Sequence, residues 1–182
     1  MNENKFFNIQ MMVEGGIVIA LSLILSFIKL GKMPQGGSIT LASMFPIILY
    51  SIRWGAPRGM VIGGLYGVVS LLIDPQIYYP VQVILDYPLP FAFIGLSGLS
   101  FSKDVKDIKG YLPAVILAHL LRTIAHVLSG VIFFADYAPE GMNPWIYSIT
   151  YNLSYMLPEM ILSIFFLFIL WKRVSSLIVR QY

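Results

Sequence analysis

The stretch Tyr111-Leu-Pro-Ala-Val-Ile-Leu-Ala-His-Leu-Leu-Arg-Thr-Ile-Ala-His-Val-Leu-Ser-Gly-Val-Ile-Phe-Phe134 decides the fold. A helix needs about 20 predominantly apolar residues to cross the hydrocarbon of a bilayer, and this run supplies them. Hydrocarbon offers no hydrogen-bond partner, so a crossing backbone must be helical or belong to a closed barrel. The run is continuously apolar, without the alternation of a barrel strand, and therefore reads as a helix. It nevertheless carries Arg122 and His126 in its interior. An ionisable side chain at that depth costs a few kcal/mol on insertion scales, so it faces protein or a water-filled cavity.

Working outward, five further runs have the same character: Ile9–Leu30, Leu41–Ile52, Gly59–Ile73, Val81–Phe101 and Trp145–Trp171. The second and third are short, and a single merged hairpin is the alternative count. Composition agrees with a membrane setting: 58% of the 182 residues are hydrophobic and only 12% charged, against about 25% charged in soluble domains. The sequence thus predicts an all-α integral membrane protein, a six-transmembrane-helix bundle forming one domain over residues 1–182. The first run lacks a signal-peptide cleavage pattern and is expected to be retained. The polar stretch Gly31 to Thr40 reads as a loop.

Charge orients the bundle. With a cytoplasmic N-terminus, the inner segments hold Lys5, Arg53, Arg58, Lys103, Lys106, Lys109, Lys172, Arg173 and Arg180. The outer segments hold Lys29 and Lys32, with Asp74, Asp136 and Glu140. Nine basic residues against two place both termini in the cytoplasm. Short basic clusters and a net charge of +3 fit a membrane surface and not nucleic acid. With no cysteine and two histidines, neither a disulfide nor a metal site is expected. The chain shows no nucleotide-binding loop, so active transport would need an ion gradient or partner subunits.

Four ionisable residues stand inside apolar runs: Asp86, Arg122, His126 and Glu159. Helical offsets group them with other polar and aromatic residues. Tyr79, Gln82, Asp86 and Tyr87 share one face of the fourth run. His126, Gly130 and Phe134 follow one face of the fifth. Ser148, Asn152, Tyr155 and Glu159 follow one face of the sixth, beside Tyr147 and Tyr151. A carboxylate, an imidazole, an amide and several rings suit a flat, cationic heteroaromatic ligand: rings for stacking and cation–π attraction, Asp86 as acceptor. Structural readings compete. Asp86 would serve as glue by pairing with Arg122, His126 as a packing histidine, Asn152 as interhelical glue, and the tyrosines, with Tyr78, Tyr137 and Trp145, as an interfacial belt. Arg122 reads as half of a structural or gating ion pair with Asp86 or Glu159. Pro158 is expected to kink the sixth helix. In the first run Gly16 and Ala20, beside Gly15, form a small-residue pair that lets another helix approach, either internally or from a separate subunit.

The sequence resembles the substrate-binding S components of energy-coupling factor (ECF) vitamin transporters, specifically the thiamine-specific ThiT/YuaJ family. The matching stretches are Met33-Pro-Gln-Gly-Gly-Ser38, Ser51-Ile-Arg-Trp-Gly55, Pro80-Val-Gln82, Leu85-Asp-Tyr87, Leu121-Arg-Thr-Ile-Ala-His126 through Ser129-Gly130, and Trp145-Ile-Tyr-Ser-Ile-Thr-Tyr-Asn152. They cover nearly the whole chain in order. The resemblance implies six helices and a vitamin pocket near the outer face, built from helices four to six and covered by the first loop. It implies thiamine binding by Asp86, Tyr87, His126, Gly130, Phe134, Tyr147 and Asn152, with Gln35, Tyr79, Gln82 and Trp145 as further candidates. Some members carry glutamate at the Asp86 position and tryptophan at the Phe134 position; the aromatic cover that some draw from the first loop has no counterpart here, leaving Gln35 or the Gly36-Gly37 backbone to take part of that role.

The implied partners are an ECF transmembrane coupling subunit, met by Gly16 and Ala20, and two cytoplasmic ATPases. No cofactor, metal or catalytic residue is implied, and the expected location is the bacterial cytoplasmic membrane. The alternatives are an S component for hydroxymethylpyrimidine or riboflavin, an autonomous ion-coupled carrier, and an intramembrane enzyme. The last has no visible nucleophile–base pair.

Overall fold

A computed structural model describes residues 8–102, 104 and 107–176. Lys5, Lys103, Lys106 and Arg180, used above for orientation, lie outside the described residues. Helix α1 (Ile9–Phe27) starts at Asn8, whose side chain accepts from the Met11 amide at 2.8 Å, an ordinary N-cap. Only Met11, Gly15 and Ser22 of α1 are buried, and its exposed face carries Ile17, Leu21, Ile24 and Phe27. Such a face is stable only against lipid or another apolar partner.

The predicted loop is a hairpin instead. Strands β1 (Lys29–Lys32) and β2 (Ser38–Thr40) pair antiparallel, with Lys32 opposite Ser38. The turn between them closes through the Met33 amide to the Gly37 carbonyl at 2.7 Å, with Gly36 at φ +94°. No alternating apolar run announces these strands; a glycine able to take positive φ and cross-strand backbone bonds make them.

Helix α2 (Phe45–Trp54) has ten residues, nearly all buried, and α3 (Ala56–Ile73) returns antiparallel after Gly55, at φ +86°. Gly59, Gly63 and Gly67 form a stripe on α3. A Cβ on Gly63 would collide with the Phe91 carbonyl, and one on Gly67 with the Tyr87 carbonyl. The stripe lets two backbones touch, as small residues do between membrane helices.

The fourth predicted segment is broken. Helix α4 (Pro80–Asp86) stops at Tyr87 (φ −121°, ψ −84°), and α5 (Pro88–Ile94) begins at once, passing into a 3-10 turn over Gly95–Gly98. Pro88 has no N–H and bars its predecessor from helical geometry, so the break sits between two chemically useful residues. Helix α6 (Leu112–Phe133) and the 31-residue α7 (Pro144–Val174) complete the bundle; α7 runs unbroken through Pro158. Five helical stretches are long and apolar enough to cross a membrane; α2 is the short one. The apolar core centres on α2, where Ile47, Ile48 and Ile52 pack with Tyr66, Ile94, Tyr111, Val115 and Leu167.

Near the start of α1, Glu14 fastens α1 to α2. It pairs with Arg53 at 2.9 Å and accepts from the Trp54 indole at 2.7 Å, while the Tyr50 hydroxyl donates to the Met11 carbonyl. Gly15 faces inward: a Cβ there would meet Ile62 at 2.5 Å. Gly16 and Ala20 face outward, and a Cβ on Gly16 would meet nothing within 4 Å. Internal packing therefore uses Gly15.

Candidate functional site

Above the N-terminal end of α2 lies a cavity of about 690 Å³, lined by the end of α1, the hairpin, the end of α3, α4 and α5, α6 and the first half of α7. That volume falls within the range of small-molecule sites. Asp86, Tyr87, His126, Gly130, Phe134, Tyr147 and Asn152 all line it, as do Gln35 and Gln82. Tyr79 and Trp145 do not. The Tyr79 ring stacks on Phe133 at 5.2 Å outside the cavity, and Trp145 stands half-exposed in the first turn of α7.

Asp86 is held from two directions. One carboxylate oxygen lies 3.3 Å from His126 Nδ1, and the other accepts from Gln82 Nε2 at 2.6 Å. Gln82 is almost wholly buried; its amide also donates to the Gln76 carbonyl and accepts from the Tyr78 amide at 3.1 Å. It therefore fixes the acid and the chain entering α4 together. The Tyr87 hydroxyl donates to the Asp74 carbonyl at 2.9 Å and accepts from the Gln76 amide at 2.8 Å, tying the same entry segment to the helix break. His126 Nε2 is buried without a partner.

The opposite wall comes from α7. Asn152 donates to the Ser148 carbonyl at 2.9 Å and accepts from the Tyr155 hydroxyl at 2.7 Å. Among the described residues those bonds stay within α7, where Asn152 makes no hydrogen bond to another helix. Ser148 joins the helices, donating to the Val127 carbonyl at 2.9 Å. Close approach there needs Gly130, since a Cβ would collide with the Ser148 hydroxyl. Tyr147, Tyr151 and Tyr155 form a ladder of rings with centroids 6.0 Å and 5.7 Å apart, and the Tyr151 hydroxyl accepts from the Gly37 amide of the hairpin turn at 3.0 Å. Phe134 meets Tyr78 edge-on at 5.4 Å and Tyr137 at 6.0 Å.

At the base, Arg122 Nη1 lies 2.8 Å from Glu159 Oε2, with both side chains buried. Of the two partners open to Arg122 in the sequence, Glu159 is the one it meets. Glu159 Oε1 also accepts from the Thr40 amide at 3.1 Å and the Thr40 hydroxyl at 2.5 Å, so β2 is fastened to α6 and α7 through one carboxylate. The Arg122 guanidinium lies over the Phe91 ring at 5.2 Å. A buried ion pair needs such extra bonds to offset its desolvation. Sequence reasoning missed Tyr78 as a lining residue, having read it as an interfacial ring. It also missed Tyr66 and Phe91, which carry no polar signal.

The arrangement offers a fixed carboxylate and an imidazole on one side, tyrosine rings and an amide on the other, and a polar hairpin above. It can hold a planar, positively charged heterocycle by stacking, cation–π attraction and a charge-assisted hydrogen bond.

Comparison with known proteins identifies the family. The model of a family described as "Thiamine transporter protein (Thia_YuaJ)" matches residues 12–179. The Thiamine transporter ThiT of Bacillus subtilis is 39% identical over 98% of this chain and 97% of its own. The Thiamine transporter ThiT of Lacticaseibacillus paracasei is 29% identical over 60% of this chain and 61% of its own. A solved structure of ThiT from Listeria monocytogenes superposes with a TM-score of 0.82 at 29% identity, covering 93% of this chain and 97% of that one. These relatives are named as transporters and not as enzymes. With several apolar helices, the protein is a multi-pass protein of the bacterial plasma membrane. The chain belongs to the Thia_YuaJ family of thiamine transporter proteins.

Proposed function

We propose that this protein captures thiamine in the cavity between the hairpin and helices α4 to α7, from the extracellular side, for uptake into the cell. One observation carries the reading: Asp86, Tyr87, His126, Gly130, Phe134, Tyr147 and Asn152, drawn from separate helices, all line a single cavity. Thiamine joins an aminopyrimidine to a cationic thiazolium. Asp86 accepts from the amino group or a protonated ring nitrogen, and the rings of Phe134, Tyr147 and Tyr151 face the cation. Gln82 holds Asp86 in place. No cofactor or catalytic step enters.

In this reading both termini are cytoplasmic, and the energy comes from outside the chain. The partners are an ECF transmembrane coupling subunit and two cytoplasmic ATPases. The outward-facing pair Gly16 and Ala20 supports a docking face for the coupling subunit. Isothermal titration of the purified protein with thiamine, hydroxymethylpyrimidine and riboflavin tests the ligand. Saturable binding of thiamine ahead of the other two is expected; binding of either in its place would overturn the assignment. Proteoliposomes with and without the partner subunits test the energy source, and uptake by the lone chain would argue for an autonomous carrier.

A further inference from the structure

The charged groups lining the cavity divide by depth. At the base, Arg122 is buried and paired with Glu159, and on the wall Asp86 faces His126. At the rim stand three exposed residues that line the same space: Lys29 and Lys32 on β1, and Asp74 at the end of α3. Among the described residues, no carboxylate lies within ion-pair distance of either lysine. The rim therefore carries two ammonium groups against one carboxylate.

That balance is wrong for a site that takes only a cation. Positive charge at the mouth opposes the approach of a thiazolium, and carboxylates there would serve it better. The lysines make sense if the outer end of the ligand is an anion. The deep groups suit the aminopyrimidine and the cationic ring, which leaves the hydroxyethyl arm, the place where thiamine is esterified, to reach the rim. Deeper in the cavity the charge of Arg122 is already balanced by Glu159, whose carboxylate lies 2.8 Å from Nη1 in a buried setting and would repel a phosphate. We propose that Lys29 and Lys32 are specificity-determining residues that form a phosphate subsite on the hairpin and set the affinity for thiamine phosphate esters relative to thiamine. The proposal rests on the thiamine-capture reading.

The test is a set of titrations with thiamine, thiamine monophosphate and thiamine diphosphate on the full chain in phosphatidylcholine nanodiscs. The readout is the ratio of diphosphate to thiamine affinity. In Lys29→Gln/Lys32→Gln this ratio should fall about tenfold, the scale expected for losing two charge-assisted contacts at an exposed site, with the monophosphate affected less. Lys29→Arg/Lys32→Arg should retain the ratio. An independent check needs no variant: added potassium chloride should lower the ratio in the unmodified protein by screening the rim. A ratio indifferent both to the lysines and to salt would overturn the proposal.

Because a lipid headgroup also carries phosphate, the titrations are repeated in nanodiscs containing phosphatidylglycerol. A ratio that stays lysine-dependent there supports a ligand-borne phosphate. One that becomes lysine-independent assigns the lysines to lipid and overturns the proposal. If the unmodified protein bound no thiamine at all, the function itself would fall, a result distinct from tight thiamine binding with an unaffected ratio.

Discussion

Asp86 illustrates how much of the site is settled one side chain at a time. Its oxygens are aimed by Gln82 and His126, so a ligand meets an oriented acceptor and the ordering cost is reduced. Asp86→Asn should weaken thiamine binding by more than about 1.4 kcal/mol, a tenfold loss, because the charge in the bond is removed; titration calorimetry measures it. Gly130→Ala should also reduce affinity while leaving the protein folded, since the added methyl pushes on Ser148 and, through it, on the helix wall that presents Asn152. Circular dichroism beside the titration separates the two effects. Helical offsets found the residues inside regular helices, such as Asp86, His126 and Asn152. They failed at Tyr79 for a physical reason: it precedes α4 in extended backbone (φ −141°, ψ 145°), so its seven-residue offset from Asp86 puts it on no shared face. Tyr78 lines the cavity in its place.

At the scale of elements, the apolar runs revealed the helices because membrane helices are written in continuous hydrophobicity. The hairpin was not legible, since four- and three-residue strands in a polar stretch have no period to read. The break between α4 and α5 could have been read from Pro88, and the close packing of α3 from its glycine spacing. Two expectations follow. Gly63→Leu should destabilise the bundle by about 2 kcal/mol or more, because no side-chain rotation relieves a clash with the Phe91 carbonyl; the thermal midpoint of the detergent-solubilised protein reports it. Thr40→Val should loosen the hairpin by about 1–3 kcal/mol, the cost of leaving a buried acceptor short of a donor. Faster amide exchange over residues 29–40, with α7 unchanged, is the expected signature of losing the tie to Glu159.

For the molecule as a whole, the proposed reading puts ligand capture and partner docking on different surfaces. The cavity lies beyond the N-terminal end of α2, while Gly16 and Ala20 lie on the outer surface of α1, whose inner face is pinned by Gly15 and Glu14. Gly16→Leu should leave thiamine titrations unchanged and lower uptake severalfold in the assembled transporter; undiminished uptake would count against that face. The cavity itself traces to α2. At ten residues α2 is about 15 Å long, roughly half the hydrocarbon thickness. The hollow exists because main chain is missing there, and the isoleucines of α2 fill only the part below. Furnishing the vacant half with different side chains would leave that lower packing undisturbed, so one scaffold of this kind can trade one cargo for another without refashioning its foundations.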